Sequence, residues 1–272
     1  MGSLRLVRVR AMARSDDDRL ETLRRGASDP SGSEGERPPK GLLPPGLGRW
    51  VWETLRSLAL AVVLVLLLRA FVVEAFKIPT GSMEGTLLVG DFLIVNKAVY
   101  GAEIPGTGLQ LLPPWEPERG DVVVFHPPHE PLKHYVKRIV GVPGDTLEMR
   151  RKELVVNGTS KAEPYVHHLD RTGDAVHPDM SWQRRYLVGA RERSRYRPSR
   201  DTWGPLVVPD DRYFVLGDSR DNSEDSRYWG FVDREAVRGR PLFVYYSFDP
   251  QNGTPFPWVR EIRWDRIGGW IR

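Results

Sequence analysis

The most restrictive feature of this chain is the run SLALAVVLVLLLRAFVV, residues 57–73, which carries a single charge, Arg69. A helix of that length covers about 25 Å, near the lower limit for a bilayer core. The run is apolar on every face, so a half-exposed amphipathic helix is excluded. A helix buried in a globular core is the competing reading, but a polar tail precedes the run and offers nothing to bury it. The sequence therefore predicts a membrane anchor over residues 49–75. Trp50 and Trp52 suit the aromatic belt at one interface, and Arg69 can snorkel to the headgroups at the other. Arg37, Lys40, Arg49 and Arg56 precede or open the run, whereas Lys77 alone closely follows it. The positive-inside rule then puts the N-terminus in the cytoplasm and residues from 77 onward on the outer, periplasmic or extracytoplasmic side of the cell's inner membrane. A cleaved signal peptide is the alternative, since VEA at 73–75 loosely resembles a cleavage site. The long charged lead and the length of the apolar core favour a retained, single-pass anchor.

Residues 1–48 are charged, rich in Gly, Pro and Ser and poor in apolar side chains. Such a segment cannot bury enough surface to offset its ordering entropy, so a disordered tail is expected. Basic residues number 40 and acidic residues 36, for a net charge of +4. They form no basic stripe interleaved with aromatics, which argues against a nucleic-acid partner. The chain has no cysteine. That excludes a cysteine nucleophile, disulfides and thiolate metal sites, and it suits an oxidising compartment.

After residue 76 the patterning is that of strands. GDVVVFHPP, KRIVGVPGD, ELVVNG, DRYFVLGD and GRPLFVYYSFDP are short β-branched or aromatic runs bounded by turn residues, and Asn157-Gly158 is a hairpin signal. No long amphipathic helical pattern occurs there. The expected fold is mainly β: an antiparallel core from residues 76–150 and 208–272, with a smaller β lobe inserted over 151–207. Within that insertion, 160–206 is polar and weakly patterned.

Three stretches hold candidate chemistry. In IPTGSMEGTLLVGDFLIV, residues 78–95, Pro79 and Gly81 make a tight bend that carries Ser82. Taken alone, a serine on a bend is a turn residue. In HYVKRIVGVPGD, residues 134–145, Lys137 and Arg138 sit inside a strand and must point to opposite faces. One of these cations therefore faces inward or lies in a cleft. Burial disfavours the ammonium form and lowers a lysine's pKa. A fall from about 10.4 to about 8 raises the neutral fraction near pH 7.4 from about one in a thousand to roughly one in five. A neutral amine is what a serine nucleophile needs as its base. In LGDSRDNSEDSRYWGFV, residues 216–232, acids and arginines alternate between apolar strands, as in a loop pinned by its own salt bridges. The six histidines have no such setting. HPPHEPLKH invites a metal reading, but Pro127 and Pro128 break the regular backbone that would align two ligands, and there is no HExxH.

Together these stretches resemble the bacterial type I signal peptidases, membrane-anchored Ser/Lys proteases that remove signal peptides. PTGSMEGTLLVGDFLIVNKAVYG is similar to the family's nucleophile box, GDVVVFHPP to the next, YVKRIVGVPGD to the lysine box and GDSRDNSEDSRYWGFV to the last. RIGGWI near the C-terminus resembles the family's ending. The resemblance covers about residues 50–157 and 205–272, and implies the antiparallel fold shared with LexA-like proteins and no cofactor. It implies that Ser82 is the nucleophile and Lys137 the general base. Thr80 would join the Ser82 backbone N–H in the oxyanion hole, and Ser223 would orient the lysine amine. Asp225 and Arg227 would form a supporting ion pair. Phe76, Ile78, Met83, Leu87, Tyr135 and Val136 would form apolar pockets for Ala-x-Ala sites. The implied partners are signal peptides of exported preproteins, membrane lipid and a nearby secretion translocon. Two positions depart from the family: Gly85 stands where proline is usual, and Ser219 where asparagine is usual. A self-cleaving repressor of related fold would need a DNA-binding helix-turn-helix, for which residues 1–76 leave no pattern. A catalytically inactive, anchored peptide-binding module is the alternative from another class, although Ser82 and Lys137 are both retained.

Overall fold

The computed structural model describes residues 47–100, 115–170, 175–189 and 193–272. The expected tail lies outside these residues, apart from its last two positions. Residues 54–272 form one compact unit, and residues 1–53 fall outside it. Helix α1 runs Leu47–Phe71. Among the described residues, no helix is long and apolar enough to cross a membrane, so the anchor expected over residues 49–75 is not shown by them. Arg49, Glu53 and Arg56 charge the first half of α1, and the side chains at 67, 68, 70 and 71 lie outside the described set.

Beyond α1 the chain is mainly β and antiparallel. Strands β1 (Val73–Lys77), β2 (Asp91–Asn96), β3 (Val122–Phe125) and β4 (Tyr135–Gly141) come first. They are followed by β5 (Thr146–Arg150), β6 (Glu153–Val156), β7 (Thr159–Ser160) and β8 (Trp203–Val207). The last three are β9 (Arg212–Leu216), β10 (Val232–Asp233) and β11 (Val237–Ser247). A seven-stranded sheet has the order β1-β2-β11-β3-β4-β9-β10, and a four-stranded sheet has the order β7-β6-β5-β8. The α-helices described after residue 76 are single turns, α2 (Ser226–Trp229) and α3 (Pro257–Arg260).

The alternation of β2 follows from its sequence. Leu93 and Val95 are fully buried with Asp91, while Phe92 and Ile94 are half-buried on the other face. Strands β3 and β4 are covered on both faces and read as near-continuous apolar runs. One apolar cluster joins Ile78, Met83, Leu87, Leu93, Val95, Val122, Val124 and Val244 beneath the Ser82 bend. A second joins Val123, Phe125, Ile139, Tyr213 and Val215 on the opposite side of the sheet. The four-stranded sheet packs its own cluster, including Leu147, Met149, Trp203 and Leu206, against Phe214 and Phe231. Leu216 and Phe231, at the two ends of the 216–232 loop, belong to this cluster.

Candidate active site

Ser82 sits in a one-turn helix, Gly81–Met83, entered from extended backbone at Thr80. Glu84 N–H closes the turn on Gly81 C=O at 3.0 Å, and Leu87 N–H bonds Met83 C=O at 2.7 Å. Met83 and Leu87 are the anchors, both buried in the core below. Ser219 N–H donates to Ser82 C=O at 3.2 Å, tying the bend to the 216–232 loop. Gly217 passes so close that a Cβ there would collide with the Ser82 carbonyl and the Ser223 hydroxyl, so only glycine fits.

Lys137 comes from β4, in register with Val123 of β3. Pairing with β9 begins only at Arg138, so the preceding residues of β4 border a cleft. Lys137 Nζ lies 2.7 Å from Ser82 Oγ and donates a longer bond, 3.3 Å, to Val136 C=O. The lysine is 4% exposed. Burial lowers its pKa from 10.5 to about 8; the Asp225 carboxylate opposes that change and the Arg227 guanidinium adds to it. The amine also lies 5.4 Å from the centre of the Tyr135 ring.

Both cations of the Lys-Arg pair are buried. Arg138, on the opposite face of β4, forms a two-pronged ion pair with Asp218 at 2.9 and 2.7 Å. Thr86 Oγ1 donates to the same carboxylate at 2.6 Å, and Arg138 also reaches Gly120 C=O. This pairing was not among the sequence expectations; the only signal for it was a basic residue in a run otherwise patterned as core.

Asp225 and Arg227 form a buried ion pair. The guanidinium meets the carboxylate through Nε and Nη2, both at 2.8 Å, with neither group exposed beyond 1%. Burial works against ionisation of Asp225, but the Arg227 charge and the hydrogen bonds to the carboxylate together outweigh it and hold the carboxyl below its usual range. Asp225 also accepts from Gly217 N–H at 3.1 Å, and Arg227 donates to the carbonyls of Arg220 and Ser223. The pair thus fixes the backbone on both sides of Ser223. Ser223 Oγ is buried without a hydrogen-bond partner, although it faces the Asp225 carboxylate closely enough to favour its charge. It is not bonded to Lys137.

The cleft, of about 930 Å³, is lined by Phe76, Ile78, Thr80, Ser82, Met83, Tyr135, Val136, Lys137 and Ser223 among others. Leu87 is absent from its walls: it is fully buried in the core under the bend, in the cluster of Leu93, Val95 and Val122. Thr80 is exposed at the rim and makes no side-chain bond to the turn. His177, Asp179 and Tyr228 line the far wall; the two from the polar 160–206 segment, His177 and Asp179, were not revealed by its weak patterning. Among the described residues, no cluster of His, Cys, Asp or Glu can hold a metal.

A serine hydroxyl hydrogen-bonded to a buried lysine amine, on an antiparallel β scaffold, fits the class of serine proteases that use lysine in place of histidine. Comparison with known proteins gives the particular family. The model of the signal peptidase family, peptidase S26, matches residues 51–246, and the chain belongs to that family. It is similar to signal peptidase I of Pseudomonas aeruginosa, 42% identical over 203 residues, covering 69% of this chain and 70% of that protein. The signal peptidase I of Pseudomonas fluorescens is 40% identical over 198 residues, covering 68% and 69%. That of Aquifex aeolicus is 33% identical over 244 residues, covering 76% and 90%.

Proposed function

We propose that this chain is a signal peptidase I, an endopeptidase that removes N-terminal signal peptides from exported preproteins at Ala-x-Ala sites. The observation that carries the reading is the 2.7 Å contact between Lys137 Nζ and Ser82 Oγ inside the cleft. In the proposed mechanism neutral Lys137 takes the Ser82 proton as Oγ attacks the scissile carbonyl. The Ser82 N–H and the Thr80 hydroxyl receive the developing oxyanion. Lysine then returns the proton to the departing amine, leaving the signal peptide as an ester on Ser82. A water activated by the same amine releases it. Phe76, Ile78, Met83, Tyr135 and Val136 provide the apolar walls for small side chains before the scissile bond.

Helix α1 serves in this reading as the single-pass anchor in the inner membrane, with the N-terminus in the cytoplasm and the protease domain outside. Its 25 residues extend about 37 Å. Leu55, Leu58, Leu60, Val62, Val63, Leu64, Val65 and Leu66 are all exposed to the helix surroundings. In water such a surface costs about 25 cal/mol per Å², and lipid removes that cost. An anchor directly before β1 also keeps the cleft near the bilayer, beside the secretion translocon, where cleavage sites emerge. The test is cleavage of a purified secretory precursor in detergent, with the new N-terminus sequenced. Cleavage after Ala-x-Ala is expected; an intact precursor, or a cut elsewhere, rejects the reading.

Ser223 is proposed to orient the lysine amine. Support comes from a buried hydroxyl on the cleft wall, beside an amine whose second bond is long. Ser223→Ala is expected to lower kcat roughly ten- to a hundredfold with little change in KM, since one orienting bond contributes about 1–3 kcal/mol. Ser226 separates orientation from folding. Its buried hydroxyl accepts from Val215 N–H at 3.0 Å, so Ser226→Ala should lower the melting temperature while largely keeping kcat. Equal kcat losses in the two variants, with equal loss of stability, would reduce Ser223 to a structural role.

A further inference from the structure

The proposed nucleophile bend is braced from outside the catalytic core. Gly85, three residues past Ser82, has φ +102°, a conformation that neither proline nor most L residues adopt. The space a Cβ would occupy there is filled by the imidazole of His167. His167 belongs to the inserted segment between β7 and β8. Its N–H donates to Asp218 C=O at 2.9 Å, and its C=O accepts from Arg220 N–H at 3.1 Å. Ser219, between those two residues, holds the Ser82 carbonyl. His167 therefore touches both supports of the bend: its ring meets Gly85 and its backbone clamps the 218–220 loop.

Two neighbours dock the same segment. Glu163 makes a two-pronged ion pair with buried Arg220 at 2.8 and 2.7 Å. The Tyr165 ring lies 4.0 Å from the Arg138 guanidinium carbon, on the residue that follows Lys137. A turn closed by Val166 N–H on Glu163 C=O delivers all three side chains within five residues. Each lands on a different part of the proposed catalytic framework: the 216–232 loop, β4 and the Ser82 bend.

We infer that residues 163–167 are a positioning clasp, and that His167 is a positioning residue that holds the Ser82 bend at the Lys137 amine. The inference rests on the Ser82/Lys137 reading. Its chemistry is steric. The ring blocks outward movement of the bend at Gly85, and a displacement of about 1 Å between reacting groups can cost as much as a hundredfold in rate.

The experiment measures kcat and KM of the full chain in detergent, with a synthetic peptide containing an Ala-x-Ala site, for His167→Ala, His167→Phe and Ser82→Ala. His167→Ala is expected to lower kcat about tenfold, with KM within about twofold and the melting temperature within about 3 °C. His167→Phe restores the flat ring without a titratable nitrogen and should recover most of kcat. Gly85→Ala should cost less in the His167→Ala background than alone, because the added methyl no longer meets the ring. Unchanged kcat in His167→Ala overturns the clasp. So does a loss that phenylalanine fails to recover, or one that follows the melting temperature. If Ser82→Ala keeps activity, the dyad reading itself fails; if Ser82→Ala is inactive and His167→Ala is fully active, only the clasp fails.

Discussion

Lys137→Arg is expected to lower cleavage at least a thousandfold at every pH from 7 to 10, as Ser82→Ala does, while both proteins fold. Arginine keeps the charge and approximate length but does not deprotonate in this range, so it cannot accept the serine proton. In the native protein the buried amine titrates near 8, and activity should rise with pH through that value. The same burial makes a stability prediction of definite sign. Lysine in the unfolded chain titrates near 10.5, and in the fold near 8. Below pH 8 both states are protonated, and the folded state carries the full cost of an ammonium in an apolar setting, about 3 kcal/mol. Between pH 8 and 10.5 the unfolded chain binds the extra proton, so stability rises with pH and the cost fades. Lys137→Met, similar in shape and uncharged, should therefore melt higher than the native protein at pH 7, with the gap closing toward pH 10. Chemical denaturation at the two pH values measures it. A variant less stable than native at pH 7 would mean the lysine is held by interactions that outweigh its desolvation, and the basis for its neutral form would be gone.

How much of this arrangement is legible in the chain varies by region. Alternation in β2 and the apolar runs of β3, β4 and β9 mark strands because one or both of their faces are covered, and covered faces demand apolar side chains. The same logic placed one cation of Lys137 and Arg138 inward. It could not reveal that both are buried, because β4 lies between two apolar clusters and Arg138 finds its acid, Asp218, on a loop eighty residues away. Leu87 shows the opposite limit. The family resemblance implied a cleft wall, but the turn that follows Met83 leads Leu87 into the core. The 163–167 segment was illegible for a third reason. Its side chains act through single long-range contacts, with Arg220, Arg138 and Gly85, and such contacts impose no period on a polar stretch. Gly85 was the visible half of one of them. A glycine where proline is usual signals a changed backbone, though not which residue fills the space it opens.

Asp225→Asn is expected to lower the melting temperature by roughly 10 °C and to move the pH midpoint of activity downward. The stability loss follows from burial. The carboxylate and the Arg227 guanidinium are both removed from water, and neutralising one partner leaves the other as an uncompensated interior charge, at a cost of about 3–5 kcal/mol. Carbonyl acceptors from Arg220 and Ser223 remain for Arg227, which limits the loss and lets the variant fold. For a unit of this size, about 2–4 °C of melting temperature accompanies each kcal/mol. The pH effect has a separate origin. The Asp225 carboxylate favours the ammonium form of Lys137, whereas Arg227 disfavours it. Removing the anion and keeping the cation leaves the Arg227 charge unopposed by its partner, so the lysine loses its proton more easily and the midpoint falls below 8. A simple loss of structure lowers activity at all pH values without shifting the midpoint to lower pH. If the midpoint stays at its native value while the melting temperature drops, the pair supports the loop mechanically and does not tune the lysine. A midpoint that rises would reverse the assigned direction of the field.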